Sequence, residues 1–284
     1  MFNLTTIFQS LLNFQNKNNL IIVKHLNIPS KHLNRSVKVD VFLPPQYNGR
    51  KNQFYPTVFF NDGQDMLALG MYDTMQQLFK EKHVEPFIVV AVYASDNRIN
   101  EYGTARQADY KNRGNKADKY TKFMLYELLP TIRKTFRCAV EPTKNTLAGF
   151  SLGGLSALDI GWSNPSVFGK IGIFSGALWW RSQDWQPNDP DGGRIMHDII
   201  SSSDRGRNQQ KFWFEVGTND EESDRNNNGI IDAIDDTRDI IDELCALGYR
   251  PNEDIKYVEI EGGEHNPQTW GQVMPQFLTW VLTD

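Results

Sequence analysis

The sequence predicts an α/β fold: a mostly parallel central sheet with helices on both faces and an antiparallel N-terminal edge. Three observations support this. Short apolar runs rich in Val, Ile and Phe recur along the 284 residues. Stretches with helical apolar spacing separate the later runs. The earliest runs follow one another with no helix between them, as antiparallel neighbours do.

The runs read as buried strands are Val37–Leu43, Thr57–Phe60, Phe87–Tyr93, Asn145–Ala148, Lys170–Phe174, Lys211–Val216 and Ile255–Ile260. Tyr120–Phe136 carries Phe123, Met124, Leu128, Leu129, Ile132 and Phe136 at helical spacing, with a kink expected at Pro130. Asp235–Leu247 gathers Ile240, Ile241, Leu244 and Leu247 on one face, and Gly248 follows as a C-cap. An apolar helix over Thr269–Leu282 closes the chain. No repeat or linker divides the sequence, so one domain is expected over residues 1–284.

Composition narrows the function. Hydrophobic residues make up 39%, with 17 Phe, 10 Tyr and 7 Trp, enough for a packed core. The net charge of -5 and pI of about 5.6 argue against a nucleic-acid partner, which calls for a basic face. No window holds the ~20 apolar residues of a membrane span. The first residues, MFNLTTIFQSLLNFQNKNN, lack a basic start and a long apolar run, so a cytoplasmic location is the default expectation. The two cysteines, Cys138 and Cys245, read as free thiols rather than a disulfide framework.

The chemistry centres on NTLAGFSLGGLS, residues 145–156. Gly149-Phe150-Ser151-Leu152-Gly153 follows an apolar strand and precedes a helix-compatible stretch. That is the context of a nucleophile elbow, the sharp strand-to-helix turn of the α/β-hydrolase fold. The tight turn demands small neighbours and lifts the Ser151 hydroxyl above the strand's carboxyl end. A serine hydroxyl needs a base, and the base needs an orienting acid, in the chain order Ser, acid, His. Of the histidines, only His197 and His265 follow Ser151. His265 lies just past the strand Ile255–Ile260, where the active site of such a sheet sits. His197 lies in RIMHDII, read as an irregular segment with no strand before it. Asp220 is the first carboxylate after the Lys211–Val216 strand, ahead of Glu221, Glu222 and Asp224. The oxyanion of an acyl-transfer intermediate needs two backbone N–H groups. Leu152, next to the nucleophile, supplies one. Gln64, in the Asn61–Asp65 loop after the Thr57–Phe60 strand, is the candidate for the other.

FFNDGQDM (59–66), GFSLGGLSAL (149–158), FGKIGIFSGALWW (168–180), EVGTND (215–220) and EGGEHNPQTW (261–270) together resemble the esterase family of enterochelin esterases, esterase D-type enzymes, bacterial feruloyl esterases and mycolyltransferases. The resemblance runs from about Val37 to the C-terminus. It implies Ser151, Asp220 and His265 as a triad, Gln64 and Leu152 as oxyanion donors, and no organic cofactor. The implied reaction is hydrolysis of a small-molecule or saccharide ester. An acyltransferase on the same scaffold and a non-catalytic calcium- or carbohydrate-binding relative are the competing readings. Trp179, Trp180 and Trp270 stand as pocket-lining or core residues, and Arg98–Arg106 resembles a phrase the family places near its site.

One segment departs from the family. Roughly forty residues separate Asp220 from His265, more than a short crossover needs. The excess, about 221–236, contains DRNNNGIIDAID, which fits the template of a calcium loop. Asp224, Asn226, Asn228, Asp232 and Asp235 occupy positions one, three, five, nine and twelve, Ile230 offers a carbonyl, and Gly229 takes the sharp turn. A structural calcium ion is therefore expected there, with Asp235 in place of the usual glutamate.

Overall fold

The computed structural model describes residues 21–45, 47–49, 52–82 and 84–283. The N-terminal segment read for targeting signals lies outside them. Eight strands form one sheet: β1 (Ile21–Ser30), β2 (Arg35–Leu43), β3 (Thr57–Asn61), β4 (Ile88–Val92), β5 (Asn145–Phe150), β6 (Lys170–Phe174), β7 (Lys211–Asn219) and β8 (Ile255–Glu264). Their order is β1-β2-β4-β3-β5-β6-β7-β8. β1 and β2 pair antiparallel, as do β2 and β4, and every remaining pair is parallel. The expected mixed sheet with its antiparallel N-terminal edge is present. The edge strand β1 is an addition to the strands read from the sequence.

The helices are α1 (Met71–Glu81), α2 (Arg98–Glu101), α3 (Ala117–Phe123), α4 (Leu129–Thr135), α5 (Leu152–Ser163), α6 (Ile195–Ser201), α7 (Asp232–Ala246) and α8 (Pro267–Leu282). They cover both faces because the central strands are buried on both. Phe59, Leu147, Ile171, Ile173, Phe212 and Phe214 face Tyr120, Leu155, Leu158, Met196 and Ile240. Val58, Phe60, Ala148, Phe150, Phe174 and Trp213 face Met71, Met75, Met274, Phe277 and Leu278, from α1 and α8. A fully buried parallel strand reads as a continuous apolar run, which is why these strands were legible.

Three expectations change. RIMHDII is helical, not irregular: it forms α6, and His197 is buried within it. Helix α7 begins at Asp232, three residues before the expected start, so Asp235 lies in its first turn. Around Pro130 the backbone widens into a π turn over Met124–Leu128, which leads into α4 with Pro130 in its first turn, where the missing N–H is tolerated. Cys138 and Cys245 are free. Among the described residues no helix is long and apolar enough to cross a membrane.

Candidate active site

Ser151 is the hinge between β5 and α5. Its backbone adopts φ 55 and ψ −124, a region that costs a non-glycine residue strain energy and that recurs at functional turns. Neighbouring glycines make the turn possible. A Cβ on Gly149 would lie 2.3 Å from the Gly153 oxygen, and one on Gly153 would lie 2.4 Å from Asp62 Oδ2. The elbow is tied down by Ser151 N–H donating to the Phe174 carbonyl at 2.8 Å. The Ser151 carbonyl in turn accepts from the amides of Gly154, Leu155 and Ala177.

Asp220 and His265 reach the same place by register. Asn219, the last residue of β7, pairs with Glu264, the last of β8, and the next residues along the chain are Asp220 and His265. Their side chains therefore leave adjacent strands at matching positions. His265 Nδ1 stands 3.7 Å from Asp220 Oδ2, an ionic contact longer than a hydrogen bond. The Asp220 carboxylate is buried, at 1% exposure, while the imidazole is 41% exposed. Trp270 props the imidazole edge-on, with ring centroids 5.3 Å apart, and its Nε1 donates to Ser175 Oγ at 2.8 Å. Ser151, Asp220 and His265 line one cleft of about 260 Å³, shared with Ser175, Trp179 and Glu221. Of the three tryptophans, only Trp179 lines the cleft. Trp180 is fully buried against Gly103 and Gly114, and Trp270 is packed on Phe150.

His197, the other histidine after Ser151, is held in the core. His197 Nε2–H donates to the Asp236 carbonyl at 2.9 Å. Burial, and then the nearby Arg194 guanidinium, pull its pKa down to about 3, so the ring is neutral.

Leu152 opens α5, so its N–H has no acceptor within the helix. Gln64 lies on the exposed side of the β3 loop, outside the residues lining the cleft. Its side chain is committed: Nε2 donates to Asp62 Oδ1 at 3.1 Å and Oε1 accepts from Ala94 N at 3.1 Å.

A clamp the sequence did not reveal holds that loop against the elbow. Asp62 takes a left-handed conformation, and its buried carboxylate receives Arg98 Nε and Nη2, each at 2.7 Å. Arg98 Nη2 also donates to the Phe150 carbonyl at 3.3 Å, one residue before Ser151. Asn61 Nδ2 donates to the Gly153 carbonyl at 2.8 Å, and Tyr120 Oη–H donates to Asn61 Oδ1 at 2.7 Å. Arg98 belongs to the RINEYGTAR phrase, so the resemblance pointed to the segment without giving its role.

Glu215 was also missed. It sits on β7 with neither carboxylate oxygen hydrogen-bonded, buried beneath the site. Burial pushes its carboxyl well above the usual carboxylate range, and the charge of Asp220 pushes it further.

The inserted loop precedes α7 and folds on itself. Asp224 Oδ1 and Oδ2 accept from the amides of Asn228 (3.1 Å) and Gly229 (2.9 Å). Asn226 Oδ1 accepts from Asn228 N at 3.0 Å, and Asn228 Oδ1 from Ile230 N at 2.8 Å. Asp235 Oδ2 accepts from Asn226 Nδ2 and Asn228 Nδ2, at 3.1 and 2.8 Å. Gly229 takes φ 84 with open space around it. Four oxygen-bearing side chains thus converge, and each amide or carboxylate oxygen has a second lone pair to offer. This donor set fits a hard cation. Asp232 departs from the template: its Oδ1 accepts from Arg225 N at 2.8 Å and lies 3.3 Å from Arg225 Nη1.

Comparison with known proteins agrees with this architecture. The profile of the family described as Putative esterase matches residues 30–281. The protein YbbA of Bacillus subtilis (strain 168) is 26% identical over 157 residues, which cover 54% of this chain and 62% of that protein; the chain thus spans about three fifths of that relative's length. Among solved structures, a ferulic acid esterase superposes with a TM-score of 0.70 at 19% identity, over 93% of this chain and 98% of the other. The enterobactin esterase of Shigella flexneri superposes with a TM-score of 0.70 at 17% identity, over 93% and 59%. With its mixed sheet, strained serine elbow and a family match over residues 30–281, the chain belongs to the Putative esterase family.

Proposed function

We propose that the chain hydrolyses its ester through Ser151, His265 and Asp220 by way of an acyl-enzyme. The observation that carries this reading is positional. A serine held at φ 55 opens into the same cleft as a buried carboxylate and an accessible imidazole that leave adjacent strands at paired positions. Ser151 Oγ attacks the ester carbonyl carbon while His265 Nε2 takes its proton. Asp220 accepts the His265 Nδ1–H, holding the ring's tautomer and stabilising the imidazolium. The 3.7 Å contact shortens as that charge forms; such contacts are often long without substrate. The Leu152 and Gln64 amides receive the oxyanion. Collapse of the intermediate breaks the ester C–O bond, and the alcohol leaves with the proton from His265. Water then repeats the sequence on the acyl-Ser151 ester, releasing the acid. Rapid-quench kinetics with p-nitrophenyl acetate test this reading: a burst of one p-nitrophenol per chain, absent from Ser151→Ala, is expected. A burst that survives in Ser151→Ala refutes it.

We also propose that the 224–235 loop holds one structural calcium ion. Asp224, Asn226, Asn228 and Asp235 would ligate it by side chain and Ile230 by its carbonyl, with Asp232 contributing through water while its carboxylate stays with Arg225. The ion would order a loop that starts four residues after Asp220. It takes no part in the acyl-transfer steps.

A further inference from the structure

The catalytic cleft holds one carboxylate that the acyl-transfer steps do not use. Glu221 lines it beside Asp220, and its Oε1 is buried with no hydrogen-bond partner among the described residues. The imidazole of His265 faces Asp220, not Glu221. Among the described residues no Lys or Arg lines the cleft.

The nearby guanidiniums are spent elsewhere. Arg225, farther along the same loop, pairs with Asp191 (2.7 Å), Asp236 (2.7 Å) and Asp232 (3.3 Å). Arg113 lies over the Trp179 ring, 5.2 Å from its centroid, but its Nε is tied to Asp109 Oδ2 at 2.6 Å. Burial and the charge of Asp232 raise the Glu221 carboxyl above the ordinary glutamate range, and the Ala233 N–H in the first turn of α7 offsets only part of this. Glu221 is thus an anion without a counter-charge, and a half-buried anion of that kind is costly until a ligand supplies one.

The cleft's chemistry selects that ligand. A second anion is repelled by Glu221, and an alkyl group desolvates it without return. A cation pairs with it and also meets the indole of Trp179, whose ring already attracts one guanidinium. The cleft is small, about 260 Å³, so a cation seated there lies close to the ester carbonyl at Ser151.

From this we infer that Glu221 is a specificity-determining residue that seats an ammonium group of the ester, carried on its acyl or its alcohol side, within the catalytic cleft. As a statement about substrate this rests on the proposed role of Ser151; binding of the cation itself does not.

Matched esters, assayed at neutral pH with calcium present throughout, test it. Acetylcholine and its uncharged isostere 3,3-dimethylbutyl acetate place the charge on the alcohol. β-Alanine methyl ester and methyl butanoate place it on the acyl chain. For at least one pair, the ratio of kcat/KM for the charged ester to that for the uncharged one is expected to fall about tenfold or more in Glu221→Gln, through KM, and to be largely kept in Glu221→Asp, which retains the charge. Ratios that Glu221→Gln leaves unchanged in both pairs overturn the inference. So does a Glu221→Gln protein that loses activity on methyl 3-hydroxypropanoate while keeping both ratios, which would make Glu221 a hydroxyl acceptor. Calorimetry with choline and 3-aminopropanamide, which carry the cation and no ester, reads binding apart from turnover. Saturable binding of at least one, weakened in Glu221→Gln, is expected, and binding of neither overturns the inference. Cation binding by a protein inactive on every ester would instead overturn the role of Ser151 and leave the cation seat standing.

Discussion

Removing Arg98 tests whether the Asp62 clamp positions the oxyanion loop. The Asp62 carboxylate is 1% exposed and receives two 2.7 Å bonds from Arg98, with Gln64 Nε2, at 3.1 Å, as the one further side-chain donor among the described residues. Deleting one partner of a buried pair costs ~3–5 kcal/mol, because the other charge stays buried. Arg98 is 32% exposed, so water enters the vacancy and the lower end, ~3 kcal/mol, is expected. For a chain of this size that corresponds to roughly 6–10 °C in melting temperature. Arg98→Ala also frees the Phe150 carbonyl and lets the Gln64 backbone N–H drift. Loss of a whole oxyanion donor lowers kcat about 10²–10³-fold, so displacing one should cost about tenfold or more, with little change in KM. Differential scanning fluorimetry and p-nitrophenyl acetate kinetics read both effects. The double variant Asp62→Asn/Arg98→Ala should be more stable than the sum of the single losses, since a neutral amide needs no cation. An Arg98→Ala protein that melts within 2 °C of wild type, or turns over at the wild-type rate, refutes the clamp.

His265→Ala should lower kcat by several orders of magnitude, whereas His197→Ala should lower the melting temperature and leave the cleft chemistry in place; the reverse pattern would reassign the base. Asp220→Asn should reduce kcat far more than Glu221→Gln, because a neutral partner neither holds the tautomer nor stabilises imidazolium; steady-state kinetics of the pair decides it. Chelation by EDTA should lower the melting temperature, with calcium restoring it and magnesium doing so poorly, and Asp224→Ala should be insensitive to both; a calcium-independent wild-type melt removes the ion from the account. Asp159, buried in α5 and accepting from Ala105 N at 2.9 Å, has its carboxyl pushed up to about 6 by burial. Its folded pKa exceeds the unfolded value of ~3.9, so its favourable contribution is full below pH ~4 and is lost as pH rises through about 6, a difference on the order of 3 kcal/mol. Asp159→Asn should therefore be more stable than wild type at pH 8 and match it at pH 4 in urea melts.

The sequence exposed whatever the central sheet imposes on it. Buried parallel strands are apolar on both faces, so β3 to β7 stood out as runs, and the elbow showed because Gly149 and Gly153 leave no room for a Cβ. Asp220 and His265 were read as the first suitable groups past strand ends, and the register of β7 with β8 is what brings those two positions side by side. Other elements lacked such signals. β1 is an edge strand interrupted by Lys24, His25, Asn27 and Pro29. α1 starts from Gly70 in a left-handed conformation, with no side-chain cap to announce it. α6 has seven residues and Arg194 before it. The Asp62–Arg98 pair is 36 positions apart, and only the fold brings it together. Glu215 looked like one polar residue in KFWFEV, and its burial beneath Asp220 has no local sign.

The central claim is that Ser151 is the nucleophile. Intact-protein and peptide mass spectrometry after treatment with a fluorophosphonate tests it most directly. One adduct per chain is expected, mapped to Ser151, absent from Ser151→Ala and much slower to form in His265→Ala. An esterase-active protein that takes no adduct, or carries it on another residue such as Ser175, would contradict the account.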